Sequence, residues 1–349
     1  MKKTITKAMS MLLALALILT CLPATQAQAA KSKLDGFSFI HDFSEGLASV
    51  WTNDAYSFID KTGKVVIKTS YTNVNDFSEG LAAVYSSANW KWGYIDKKGK
   101  VVVKPQYDNA FDFSDGLAKV SKNDTFGFIN KKGKVAIKLK YDFVSDFSEG
   151  LAIVWKGSKR SIIDTTGKTL VDDLGYFWSG AFSEGMLRVG DDDGNIGFVN
   201  KKGKTVIAPA YEHAGDFHEG LAAVMKNGKV GFIDKTGKEV IKPQFDADEP
   251  DFLPQFSGGL AAVSKNGKYG FIDKKGKTVI KFGYSAAESF SEGLALVYKN
   301  GKCGYIDKKG KVVIKLRYTN GGYFSEGLAL VYKNDAPCFI DKKGKVVLK

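Results

Sequence analysis

Phe77-Ser78-Glu79-Gly80-Leu81-Ala82-Ala83-Val84, then Trp92-Gly93-Tyr94-Ile95-Asp96, then Lys97-Lys98-Gly99-Lys100-Val101-Val102-Val103-Lys104-Pro105 is one copy of a unit repeated along the whole chain. The opening Phe returns at Phe43, Phe77, Phe113, Phe147, Phe182, Phe217, Phe256, Phe290 and Phe324, at intervals of 34 to 39 residues. Such a period defines a repeat architecture, in which each unit is too small to bury its own apolar face and stacks on its neighbours. The unit reads as three short strands: Leu-Ala-x-Val, Gly-Phe/Tyr-Ile-Asp, and a branched run such as Val312-Val313-Ile314. Short β-branched runs bounded by glycine turns disfavour a helix, and apolar residues at consecutive positions predict sheets covered on both faces.

The turns between strands carry their own chemistry. Lys226-Asn227-Gly228-Lys229 and Lys299-Asn300-Gly301-Lys302 are hairpin signals, because Asn and Gly accept the positive φ that a tight two-residue turn requires. In Asp-Lys-x-Gly-Lys the Asp accepts backbone N–H groups and the Gly supplies a positive φ. A connection of ten to thirteen residues then leads to the next unit. The expected fold is therefore all-β, with nine tandem three-stranded antiparallel meanders. A propeller-like ring is slightly favoured over an open superhelical array. The small Ala fixed in the first strand suits a crowded inner position, and the long connection suits a return from rim to centre. Against closure, nine blades exceed the usual four to eight, and no terminal strand looks split to complete a shared blade.

Order and recurrence together carry a resemblance. Trp92-Gly93-Tyr94-Ile95-Asp96, the Gly-Lys turn, Val-Ile-Lys-Pro and Phe-Ser-Glu-Gly-Leu-Ala are similar to the WG-repeat family, also called KWG repeats, from about Asp35 to Lys349. Trp-Gly itself occurs once, with Phe126-Gly127, Ile196-Gly197 and Tyr269-Gly270 elsewhere, and the Pro survives as Pro105, Pro209 and Pro243. The resemblance implies a repeat scaffold of the secreted bacterial type and brings no catalytic residues with it.

With 349 residues, 44% hydrophobic residues and 26% charged, the chain is neither disordered nor collagenous, and no heptad runs through it. Residues 1–30 read as a signal peptide. Lys2, Lys3 and Lys7 precede an apolar run from Met11 to Leu19, and Ala27-Gln28-Ala29-Ala30 offers the small residues a signal peptidase needs. A lipid-anchored Cys21 is the rival reading, disfavoured by Thr20 before it. Residues 31–349 are then a single array of nine repeats, secreted and without a membrane span, since no later segment approaches the roughly 20 apolar residues of a membrane helix. Cys303 and Cys338, in neighbouring units, are expected as two thiols and not as a disulfide, because stacked sheets lie about 10 Å apart.

Charge is the main functional signal. The whole chain carries +13, and residues 1–30 hold three lysines and no acid, which leaves +10. The Asp-Lys-x-Gly-Lys turns contribute 23 lysines, and stacking predicts that they share one edge. Lys98, Lys132, Lys202, Lys275, Lys309 and Lys343 are the candidate anion-binding residues. The alternative is that lysine there protects exposed strand edges and keeps the protein soluble. Because acids recur elsewhere in the unit, the like charges are expected to gather. The Ser-Glu-Gly segment, with Glu45, Glu79, Asp115 and their equivalents, reads as a turn capped by local hydrogen bonds and not as a catalytic acid.

Irregular units hold a second candidate. Trp155, Tyr176, Trp178 and Arg188 lie near the boundary of units four and five and could stack a sugar or anchor a protein, or else fill the core. The longest boundary, between units six and seven, reads as an exposed acidic loop with Asp246, Asp248, Glu249, Pro250, Asp251 and Pro254. His41, His213 and His218 are a poor supply for a metal site, no calcium-binding spacing is complete, and no nucleophile elbow, zinc-protease helix or phosphate loop occurs. No cofactor is expected. The leading expectation is a secreted, non-enzymatic protein binding anionic cell-surface or cell-wall polymer or glycan. A protein-interaction scaffold is the alternative, and a hydrolase with a central site the least favoured. Nucleic acid is not expected as a partner despite a pI near 9.3, because secretion separates the chain from it.

Overall fold

Each repeat folds as its own antiparallel sheet. The computed structural model describes residues 33–34, 36–176, 178–247 and 253–349, without the side chains of Trp178 and Ser179. The leader, and with it the signal-peptide and Cys21 readings, lies outside the described residues. Nine sheets follow in chain order, each built from contiguous residues, and they form a nine-bladed β-propeller. Blade 2 comprises Asn73–Val74, Leu81–Ser86, Lys91–Asp96 and Val101–Tyr107. The blades are four-stranded, not three-stranded. The additional strand, two residues long in most blades, comes from the connection, where too few residues pair to leave an apolar pattern in the sequence.

This short strand also corrects the place of the Ala-rich one. Gln255, Glu288 and Tyr323, one or two residues before the motif Phe of three successive blades, line one cavity, so the chain beside the short strands converges at the centre. Leu-Ala-x-Val is the second strand, and its Ala is fully buried between blades, as at Ala82, Ala152 and Ala222. The outermost strand is covered on one side only: Ile67 is buried and its neighbour Val66 is exposed.

The cores lie between blades. Buried Phe58, Ile67, Phe77, Ala82 and Ile95 of blades 1 and 2 form one cluster, and eight more follow around the ring. The third-strand aromatic of one blade packs on the motif Phe of the next, as in Phe58 with Phe77 at 4.9 Å and Phe128 with Phe147 at 4.6 Å. Phe339 of blade 9 meets Phe43 of blade 1 at 4.8 Å, so the same contact closes the ring. Among the described residues no strand is shared between blades. Closure uses the repeat's own interface, with Leu34 N donating to Lys349 O as a further tie.

Polar bonds follow the same path. Ser44 Oγ donates to Phe77 O at 2.7 Å, and the Glu45 carboxylate accepts from Gly80 N at 3.0 Å. Ser325 Oγ reaches Phe43 O and Glu326 accepts from Gly46 N, both across the closing interface. The turn acids are thus bonded to backbone as expected, but to the next blade and not locally. Seven of them are also met by a lysine of that blade, as Lys97 with Glu45, Lys201 with Glu149 and Lys61 with Glu326, each at 3.0 Å. Partial burial, the largest influence, raises the carboxyls of Glu149, Glu184, Glu219 and Glu326. The lysine bond and the glycine N–H outweigh it and hold all four below the usual glutamate range.

The Gly of the Trp-Gly position has a steric reason. Trp92 pairs with Tyr107 and Tyr94 with Val103, so the fourth strand bulges around Lys104-Pro105-Gln106 opposite Gly93. A Cβ on Gly93 would lie 2.4 Å from Val103 O, and on Gly231 2.6 Å from Ile241 O. Pro105 and Pro243 are tolerated because a bulge asks no ladder bond of them. Where Ser57, Ser161 or Cys338 replaces the Gly, the fourth strand is only Val65–Lys68, Thr169–Val171 or Val346–Leu348 and stops short of the bulge. Cys338 therefore sits one register step from Cys303, and both are buried free thiols.

Gly231→Ala should destabilise by about 1–3 kcal/mol in urea unfolding, whereas Ser57→Ala at the same register should lose less than half as much. Equal losses would remove the bulge as the reason for the glycine. The sign of the pH effect follows from the lowered Glu values. A depressed folded-state pKa contributes stability above the unfolded value, near about 4.3, that is lost as pH falls through the folded one. Changing Glu149, Glu184 and Glu219 to Gln should therefore flatten the fall of the melting temperature between about pH 5 and pH 3. A fall as steep as in the unaltered protein would contradict the pairing.

Candidate lysine face and central channel

The second strand of every blade leaves the Phe-Ser-Glu-Gly turn, and the third returns to the same end. The Asp-Lys-x-Gly-Lys turn therefore lies beside the Ser-Glu-Gly turns, and the Lys97 to Glu45 contact is its direct signature. All nine lysine turns share one end of the ring, as stacking predicted. Each is built alike: Asp96 Oδ1 accepts from Lys98 N and Lys100 N at 2.9 Å, and Gly99 has φ 78°. The turn Gly also packs against the preceding blade, Gly133 on Val103 and Gly344 on Ile314.

Gathering of like charge is only partly what results. The first lysine of seven turns, at Lys61, Lys97, Lys131, Lys201, Lys235, Lys274 and Lys342, pairs with the preceding blade's Glu at 2.9 to 3.1 Å. The turn acids and the turn lysines are at one end of the blade, not at different places. Gly258 breaks the series in blade 7, and the Lys308 ammonium occupies the space that a side chain there would need. The candidate residues Lys98, Lys132, Lys202, Lys275, Lys309 and Lys343 are all exposed, and among the described residues none of them makes an ion pair. Thr62, Thr166 and Thr236 take their place in blades 1, 4 and 6, each bonded to the turn Asp at 2.6 Å.

Of the aromatic candidates, two share one place and Arg188 faces another. Trp155 and Tyr176 are half-buried against the core between blades 4 and 5. Trp155 stacks with Phe143 at 4.9 Å and Arg160 at 4.8 Å, and the Tyr176 hydroxyl bonds Thr205 Oγ1. Arg188 is turned to blade 6, with Nε 3.1 Å from the Asp216 carboxylate and its guanidinium donating to Ala214 O. Trp178 pairs through its backbone with Gly190, and its side chain lies outside the described residues, as do Phe177, Asp248, Glu249, Pro250 and Asp251.

One feature of the centre was missed in the sequence. Asp42, Asp76, Asp112 and Asp146 precede the motif Phe in four successive blades, and Asp42 and Asp76 line one cavity with His41. Burial, with the Asp76 charge beside it, pushes the Asp42 carboxyl above its usual range. Burial does the same at Asp112, where the Asn75 amide opposes it. A hydrogen bond to Asp76 holds His41 above its ordinary value against burial. The signal was the Asp before the Phe, whose meaning appears only once the first strand is known to be innermost. Among the described residues no group of three or more His, Cys, Asp or Glu could hold a metal ion, and no helix is long and apolar enough to cross a membrane.

The profile described as "WG containing repeat" matches residues 56–90, 92–125, 126–159, 196–229, 231–269, 269–303 and 304–335. No curated protein matches. Among solved structures the chain is similar to BamB from Moraxella catarrhalis, with 12% identity over 78% of this chain and 91% of that one and a TM-score of 0.42. Hsv2p of Kluyveromyces lactis gives 12% identity over 77% and 92%, with a TM-score of 0.40. PorZ, a bacterial surface component of Porphyromonas gingivalis, gives 10% over 89% and 51%, with a TM-score of 0.34. Seven matches along more than half of its length, on units whose Gly, bulge and turn now have a common geometry, show that the chain belongs to the WG-repeat family.

Proposed function

We propose that the protein acts outside the cell as a non-enzymatic binding ring that holds an anionic cell-wall polymer, such as a phosphate chain, across its lysine face. The observation that carries this reading is the division of labour within each turn. The first lysine is tied to the neighbouring blade, while six second-position and nine last-position lysines stand at the same end without an ion pair among the described residues. A ring spacing identical cations evenly suits a flexible polyanion, whose single contacts are weak and whose retention comes from many acting together. The leader-like residues 1–30 support an extracellular site of action. A protein-interaction scaffold is the second reading, favoured by the seven paired lysines, since that part of the positive charge already serves the ring itself.

Purified walls, with and without their anionic polymer, provide the test. Changing Lys98, Lys132, Lys202, Lys275 and Lys309 to Gln should lower retention at least about tenfold and leave the melting temperature unchanged. Retention should also fall as salt shortens the Debye length from about 10 Å at 0.1 M to about 3 Å at 1 M. Retention that ignored salt, polymer and substitutions alike would reduce these lysines to a solubility device and leave the scaffold.

A further inference from the structure

The groove between blades 7 and 8 lacks a side chain that fills its counterpart in the next interface. In the six blades whose fourth strand reaches the bulge, the residue before the strand's last aromatic is Gln106, Lys140, Ala210, Gln244, Gly283 or Arg317. Between blades 8 and 9 the Arg317 guanidinium lies 5.2 Å from the centre of the Tyr318 ring and donates to Gly344 O at 3.3 Å. Tyr318 is 1% exposed beneath it. Between blades 7 and 8, Gly283 sends nothing into the same space, and a Cβ there would meet nothing within 4 Å. Tyr284 alone of the six last aromatics is not buried. Among the described residues nothing donates to Gly310 O, the counterpart of Gly344 O.

What opens is a groove of about 360 Å³ along the fourth strand of blade 7, within the span of about 300–1,000 Å³ that small-molecule sites occupy. Lys281 of that strand and Lys299 and Lys309 of blade 8 line it, with Tyr284 and Gly310. Among the described residues no acid lines it, and none of the three lysines makes an ion pair. Arg317 adds a cation to the equivalent lysines of the next groove, whereas Gly283 withholds both the volume and the charge. A small residue, Ala210, also stands at the interface of blades 5 and 6, but there Ala208 and Thr236 replace Lys281 and Lys309. An uncovered tyrosine, an unused carbonyl and three unpaired ammonium groups therefore meet in one open groove.

We propose that this groove binds a phosphorylated hexose, whose ring takes the place that the Arg317 guanidinium has in the next interface. The C–H face of the sugar covers Tyr284, a hydroxyl donates to Gly310 O, and the phosphate is held by the lysines, which are common phosphate ligands. Inorganic phosphate would leave Tyr284 bare, and a neutral sugar would leave the lysines unpaired. The site does not rest on polymer retention by the lysine face, with which it shares Lys309. Its ligand chemistry is that of a free hexose phosphate or of a polymer that carries one.

Isothermal titration of the full chain with glucose 1-phosphate should show one saturable site, with inorganic phosphate and glucose each binding at least about tenfold more weakly. Gly283→Arg, which copies the next blade into open space, should abolish binding and leave the melting temperature unchanged. Lys281→Gln should weaken binding at least about tenfold, and Ala210→Arg, at the groove without these lysines, should not alter it. Purified wall polymer separates the two sources: displacement of the bound sugar phosphate assigns the ligand to the polymer, and no displacement assigns it to the free form. No saturation up to about 5 mM, inorganic phosphate binding as tightly as glucose 1-phosphate, or full affinity in Gly283→Arg would overturn the proposal. None of these results bears on retention by the lysine face, whose test leaves Gly283 unaltered.

Discussion

No blade of this protein can satisfy its own Phe-Ser-Glu-Gly turn. Glu45, Glu149, Glu326 and their equivalents sit at φ 50 to 55°, a left-handed backbone that costs a residue with a Cβ about 1 kcal/mol or more. Each is held there by a carboxylate bonded to the glycine N–H of the next blade, and all but Asp115 also meet that blade's first lysine. The motif Phe has the same dependence, since its ring packs on an aromatic of the blade before. A two-faced sheet with its core, its strained turn and its charge pair all shared with neighbours has no stable end. Closing the ring leaves no blade without the neighbour these groups need.

Much of this was legible in the sequence. Recurrence of Phe77 and its equivalents gave the number of units, Asn227-Gly228 gave the hairpins, and Asp96 with Gly99 gave the lysine turn. Each is a local matter of φ angles and side chain to backbone bonds. The innermost strand was not legible, because Asn73–Val74 and Ala286–Ala287 are too short and too plain to show alternation. Two errors followed from that one omission. Ala82 was placed at the centre, and Asp42 and Asp76 were not seen to line one cavity. The Lys97 to Glu45 pair was equally hidden, since it joins residues 52 apart that only the second- and third-strand directions bring to one end.

The repeat also shows what function does not require of it. A lysine that pairs with Glu, a glycine beneath a bulge and an Ala between blades are all explained by stacking. The second-position lysines are not. Lys98 could be Thr, as Thr62 is, without loss to the turn.

Closure is the central claim, and comparing one interface with another tests it most directly. Ser325→Ala with Glu326→Ala removes the polar bonds between blades 9 and 1. Ser148→Ala with Glu149→Ala removes the same bonds between blades 4 and 5. Urea unfolding of the two double variants should show equal losses, on the order of 2 kcal/mol each, because in a closed ring no interface is terminal. A full loss at Ser148 and Glu149 with none at Ser325 and Glu326 would mean that blades 9 and 1 do not touch and that the array is open.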